Sequence, residues 1–111
     1  MVIVLFGTEL LEDADHADHE ATSERMDELV QQLPGFISVK GYAVPDGDRV
    51  VIARFESEEA LEAWRTHPEQ REAQRKGRED DYTSYRVQVC ATIRNHAFQR
   101  PPDQPSPGSA I

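Results

Sequence analysis

The chain has 111 residues, 38% of them hydrophobic and 30% charged, with a formal net charge of −9. That length fits one domain with one modest core. The acidic balance argues against nucleic acid or an anionic membrane as a partner, because both attract basic surfaces. A lone cysteine, Cys90, excludes an intrachain disulfide and a cysteine zinc cluster.

No apolar run approaches the roughly 20 residues needed to span a bilayer. The opening MVIVLF lacks a charged n-region and a cleavage signal, so it is expected to be a strand, and the expected location is the cytoplasm. Val2 to Phe6 is a β-branched apolar run closed by Gly7. It predicts a first strand that is apolar on both faces and therefore central in its sheet.

The segment DADHADHE (13–20) is acidic and carries His16 and His19 three residues apart. Acidic residues favour a helix N-terminus, so a solvated helix start is expected there. A metal site through the two histidines is the alternative. Thr22, Met26, Leu29, Val30 and Leu33 recur at spacings of three and four, which predicts an amphipathic helix to about Leu33, ended by Pro34-Gly35.

Phe36 to Val44 alternates as a second strand, with Ile37, Val39 and Ala43 on one face and Ser38 and Lys40 on the other. Pro45-Asp46-Gly47-Asp48 marks a turn. Arg49 to Phe55 is a third strand, apolar on both faces, so strands two and three form a hairpin. Ser57 is a good N-cap for a helix whose apolar side is Ala60, Leu61 and Trp64. His67-Pro68 predicts a bend, since the residue before proline leaves the α region and proline suits the first position of a new helix. A second helical segment then runs to about Asp80, weakened by Gly77.

From Tyr82 the period changes to two. Tyr85, Val87, Val89, Ala91 and Ile93 alternate with Arg86, Gln88, Cys90 and Thr92, which predicts a fourth strand. Cys90, at mid-strand, is expected to be a buried structural thiol. Residues 96–111 hold four of the seven prolines and are expected to form a Pro-rich flexible tail beyond a folded domain of residues 1–95.

The order β-α-β-β-α-β is the ferredoxin-like α+β arrangement with a four-stranded antiparallel sheet. Both helices cover one face of such a sheet. The other face would expose apolar side chains of strands one and three, and a second copy packed sheet to sheet would cover them. A homodimer through that face is therefore expected.

A set of residues now carries a resemblance. Pro34-Gly35-Phe36, Asp46-Gly47, Phe55-x-Ser57-x-Glu59-Ala60-x-x-x-Trp64, His67-Pro68-Glu69, Ala73-Gln74, Gly77-Arg78 and Tyr82-x-x-Tyr85 together resemble the antibiotic biosynthesis monooxygenase family over roughly residues 2–93. The resemblance implies a dimeric α+β barrel of ferredoxin-like protomers. It also implies a small cofactor-independent monooxygenase that oxidises an electron-rich aromatic or quinol-type molecule, with no metal and no bound cofactor.

Such a reaction needs a dry pocket, a group to take the substrate's proton and donors to hold the resulting anion. His67 is the expected base, Trp64 a pocket wall, Tyr82 a hydrogen-bond donor and Arg86 a clamp for a phenolate, with Tyr85 and Phe55 contacting the substrate. Each also has a structural reading. Trp64 and Tyr85 suit core packing, His67 suits a helix cap, and Arg86 suits a surface ion pair.

Two departures from the family pattern stand out. The pocket asparagine of quinone-forming members has no counterpart, since Asn95 lies past strand four. Gln74 stands where haem-degrading relatives carry a histidine, so haem degradation is not expected. A non-catalytic dimer that binds a hydrophobic small molecule, for example in a stress response, is the alternative function.

Overall fold

The computed structural model describes residues 1–45 and 48–102. β1 (Val2–Leu10), β2 (Phe36–Ala43), β3 (Asp48–Phe55) and β4 (Tyr82–Ala91) form one antiparallel sheet in the order β2-β3-β1-β4. The two strands that are apolar on both faces are the central ones. α1 (His16–Val30) crosses between β1 and β2, and α2 (Glu58–Arg65) and α3 (Pro68–Lys76) join β3 to β4 through one π-helical turn, Gly77–Asp81. This is the ferredoxin-like βαββαβ protomer. Among the described residues no helix is long and apolar enough to cross a membrane.

Local chemistry sets the helix boundaries. The Asp15 side chain accepts from the Asp18 amide at 3.0 Å and starts α1. Ser57 accepts from the Ala60 amide at 3.2 Å and starts α2. His67 ends the bend with an extended backbone, and its Nδ1 accepts from the Glu69 amide at 3.1 Å, capping α3 ahead of Pro68. Each such cap satisfies an otherwise orphaned donor and is worth about 1 kcal/mol.

Strand register then decides which side chains meet. On β1, Val2 lies opposite Phe55 and Ala91, and Thr8 lies opposite Arg49 and Tyr85. Successive side chains alternate across a sheet, so Val2, Val4, Phe6 and Thr8 share the helix-facing side. Phe55 is 1% exposed and, with Val2, Val30 and Trp64, forms the core. Ile3, Leu5, Val50 and Ile52 take the opposite parity and form the apolar middle of the other face.

Several details depart from expectation. β1 continues through Gly7 to Leu10, because Gly7 is paired on both sides, to Val50 and Arg86. α1 closes at Val30, where the Gln32 and Leu33 amides switch to carbonyls three residues back. Gly35 follows at φ 81°, and an added Cβ there would stand 2.6 Å from the Ala60 Cβ, so only glycine lets this corner rest on α2. Ile37 does not share a face with Val39: the register shifts between Phe36 and Ser38, and Ile37 is left 45% exposed. Cys90 is exposed, not buried, because β4 is an edge strand and Cys90 sits opposite Ile3 on the face without helices. The turn residues Asp46-Gly47 and tail residues 103–111 lie outside the described residues.

Candidate functional site

A cavity of about 590 Å³ separates the helices from the sheet. This is an ordinary size for a small-molecule site. Its floor is the helix-facing side of the sheet, from Val4 and Phe6 across to Val51 and Ala53. Its roof is α1, α2 and α3. Tyr85, Val87 and Val89 of edge strand β4 line the cavity while remaining 43%, 49% and 53% exposed. The chamber therefore opens on that side.

The two ends differ chemically. At one end Phe55, Val30, Leu61 and Trp64 make an apolar wall. At the other end stands a polar group drawn from three elements. His19 of α1 is 8% exposed and Asp81 of the π-helical turn is 4% exposed, with His19 Nδ1 3.4 Å from Asp81 Oδ2. The ring of Tyr82 lies edge-on to His19 with centroids 5.6 Å apart, and also edge-on to Phe6 at 6.0 Å. Burial pushes the Tyr82 hydroxyl pKa up, the Asp81 charge adds to this, and Arg49 opposes it. Tyr82 is therefore a neutral donor across the physiological range.

Two local features build this corner. Gly77 begins the π-helical turn in ordinary helical backbone, and it is needed for space: an added Cβ would lie 2.3 Å from Tyr82 Cε2. The Leu11 amide donates to the Asp81 carbonyl at 2.7 Å, which fastens the turn to the end of β1. The Asp81 carboxylate is thus held against α1.

Charge around the chamber runs against the whole molecule. The net charge is −9, yet the lining includes Arg49, Arg71 and Arg78, besides an Arg65 paired with Glu62, against Asp27 and Asp81. Burial, followed by the nearby Glu24, raises the Asp27 pKa. The rim is locally suited to an anionic or anion-forming ligand.

Of the residues singled out from sequence, Trp64, Phe55, Tyr82 and Tyr85 line this cavity. His67 does not. Its Nδ1 is occupied by the Glu69 amide, and its ring lies against Trp64 at 5.9 Å between centroids, behind the wall. Arg86 is also outside: it pairs with Gly7, between cavity-lining Tyr85 and Val87, so strand alternation sends it to the opposite face. Gln74, at the position compared with a haem ligand, does line the chamber.

The start of α1 is solvated at Asp13, Asp15, His16, Asp18 and Glu20, as expected, and of its polar residues His19 alone departs from that reading. His16 is exposed, whereas His19 faces inward. The signal was present: His19 precedes Thr22 by three and extends the 22-26-29/30-33 stripe by one turn. Among the described residues no group of three or more His, Cys, Asp or Glu is placed to hold a metal ion.

Comparison with known proteins places this geometry. The model of the antibiotic biosynthesis monooxygenase family matches residues 1–76. An uncharacterized Bacillus subtilis (strain 168) protein, YqjZ, is 37% identical over 78 residues, covering 70% of this chain and 68% of its own. The structure of Rv0793 from Mycobacterium tuberculosis superposes with a TM-score of 0.76 at 23% identity, over 86% of this chain and 98% of that one. SnoaB, a cofactor-independent oxygenase from Streptomyces nogalater, gives a TM-score of 0.69 at 16% identity, over 92% of this chain and 97% of that one. At such identities the structural likeness speaks for the fold alone. The family match rests on the sequence over β1 through α3, and by it the chain belongs to the antibiotic biosynthesis monooxygenase family.

Proposed function

We propose that the cavity binds an electron-rich aromatic small molecule, such as a hydroxylated anthrone or a quinol, and that the protein promotes its oxidation by dioxygen without a cofactor of its own. The observation that carries this reading is the chamber: a volume of about 590 Å³, apolar at the Phe55–Trp64 end and bearing a buried polar group at the His19–Tyr82 end. Family membership supports it, and SnoaB, described as a cofactor-independent oxygenase, shares the fold.

The chemistry asks little of a protein beyond placement and proton management. The deprotonated substrate itself supplies electrons to dioxygen. With an anthrone, the ring methylene loses both hydrogens, one oxygen atom becomes the new carbonyl, and the other leaves as water. An apolar wall keeps bulk water from the reacting carbon. Trp64 and Phe55 provide that wall, Tyr85 lies at the open side, and the neutral Tyr82 hydroxyl is a donor for the substrate oxygen.

A panel of hydroxylated anthrones and quinols in an oxygen electrode tests the reading. Uptake above buffer, lost in Trp64→Ala, supports it; no uptake with any member of the panel contradicts it. Binding without turnover is a second reading. It draws on the positions of His67 and Arg86, the expected base and anion clamp, which stand outside the chamber. Saturable quenching of the sole tryptophan, Trp64, without product would favour it.

The proposal includes a two-fold dimer. Ile3, Leu5, Val50 and Ile52 form an apolar centre on the face away from the helices, and a second copy would cover it. Residues 1–95 would form the unit that pairs, and residues 96–111 a tail. A monomer at micromolar concentration in a sedimentation experiment would contradict this part.

A further inference from the structure

We propose that His19, held by Asp81, takes the proton of a phenolic hydroxyl bound at the Tyr82 end of the cavity. The inference rests on the reading of the chamber as a site for electron-rich aromatics. It assigns a proton acceptor, which that reading needs and His67 does not supply.

The argument begins with burial. A histidine and an aspartate at 8% and 4% exposure are expensive to remove from water, and an apolar pair of similar volume would hold α1 to the π-helical turn at least as well. Their partners come from segments 62 residues apart, so the pairing is made by the tertiary fold and not by a local turn. Both residues line the cavity. Ionisable groups kept together at the wall of a chamber are candidates for acid–base work.

Orientation follows from the contact. Asp81 Oδ2 faces His19 Nδ1, so the carboxylate favours the tautomer that carries its hydrogen on Nδ1. Nε2 is then left with a lone pair. Asp81 is itself fixed through its backbone carbonyl, which accepts from Leu11 at 2.7 Å. A π-helical turn places it, and such turns recur where a helix is reshaped for a site. Asp81 is thus a positioning residue, and His19 the group that meets the ligand.

The neighbours suit the product of that transfer. The phenolic O–H bond breaks, the proton moves to His19 Nε2, and the pair of electrons stays on the phenolate oxygen. Tyr82 is a neutral donor beside it, and Arg49, opposite Thr8 on the sheet floor, lines the same cavity. The phenolate is the electron-rich form that dioxygen oxidises, so this one step prepares the substrate without any further reagent.

The test uses 4-nitrophenol, a phenol whose anion absorbs visible light and which does not reduce dioxygen. The buffer is set just below the pH at which the free probe ionises. Binding is followed by Trp64 fluorescence and ionisation by the phenolate band. In the wild type the bound probe gains phenolate, with a phenolate-to-phenol ratio about tenfold above that of free probe, equivalent to one pKa unit. His19→Gln still quenches Trp64 but returns the ratio to that of free probe, and Asp81→Asn falls between the two. If either variant fails to fold, the apolar pair His19→Phe with Asp81→Leu replaces it, and the band must again be lost. A wild type that binds the probe un-ionised, or does not bind it, overturns the assignment, as does a band that survives in His19→Gln. Oxygen uptake is measured separately, so a phenolate band without turnover would sink the oxygenase reading and keep the proton acceptor.

Discussion

Replacing Gly77 by alanine isolates the packing that forms the polar end of the cavity. Its backbone, φ −59° and ψ −46°, is ordinary helix, so alanine carries no strain and gains about 0.5–1 kcal/mol in helix propensity. Opposing this, the new Cβ would meet Tyr82 at 2.3 Å from Cε2, 2.9 Å from Cζ and 3.0 Å from Cδ2. The ring cannot simply step aside. Phe6, His19 and Tyr85 hold it at centroid distances of 6.0, 5.6 and 6.1 Å. Overpacking of this kind costs about 1–3 kcal/mol, so the net loss runs up to about 2.5 kcal/mol. Urea denaturation reads it as a lower midpoint at unchanged slope. In a Tyr82→Ala background the clash is gone, and the same Gly77→Ala change should stabilise by about 0.5–1 kcal/mol. The sign reversal, read as a double-mutant cycle, is the specific expectation. Gly77→Ala that stabilises the wild type would refute the reasoning.

Other outcomes follow from the same geometry. His67→Ala should cost about 0.5–2 kcal/mol by uncapping α3, His67→Asn should restore most of it, and neither should change turnover of a substrate, since the His67 Nδ1 is taken by the Glu69 amide and the residue is not among those lining the cavity. Tyr82 should ionise above the ordinary tyrosine value of 10.0 in an ultraviolet titration, because burial and Asp81 favour its neutral form. The sign for stability follows. A folded-state pKa above the unfolded one contributes stability that is complete below pH 10.0 and is lost as pH rises through the folded value. Tyr82→Phe should therefore lose less stability than the wild type between pH 9 and 12, measured by urea midpoints about one pH unit apart.

The architecture was legible because several levels of pattern agree. Runs apolar on both faces marked β1 and β3 as central, and caps at Ser57 and His67 marked where α2 and α3 begin. The cavity wall was partly legible: Trp64, Phe55, Tyr82 and Tyr85 were singled out and line it. Arg86 falls outside the cavity because it shares the parity of Gln88 and Cys90, on the face away from the helices. The burial of His19 is hidden in the sequence for a different reason. Its acidic surroundings imitate a solvated helix start, and its partner, Asp81, lies 62 residues away in a π-helical turn with no sequence period of its own. The Ile37 displacement likewise came from a register shift, which alternation alone cannot reveal.

The reading of the chamber as an oxygenase site is tested most directly by oxidising a hydroxylated anthrone under dioxygen enriched in the heavy isotope and weighing the product. Turnover by the cavity should yield the quinone with one heavy oxygen atom in its new carbonyl, at one dioxygen consumed per product, and Trp64→Ala should abolish both. Product free of label, or label that accumulates at the same rate without the protein, would contradict it.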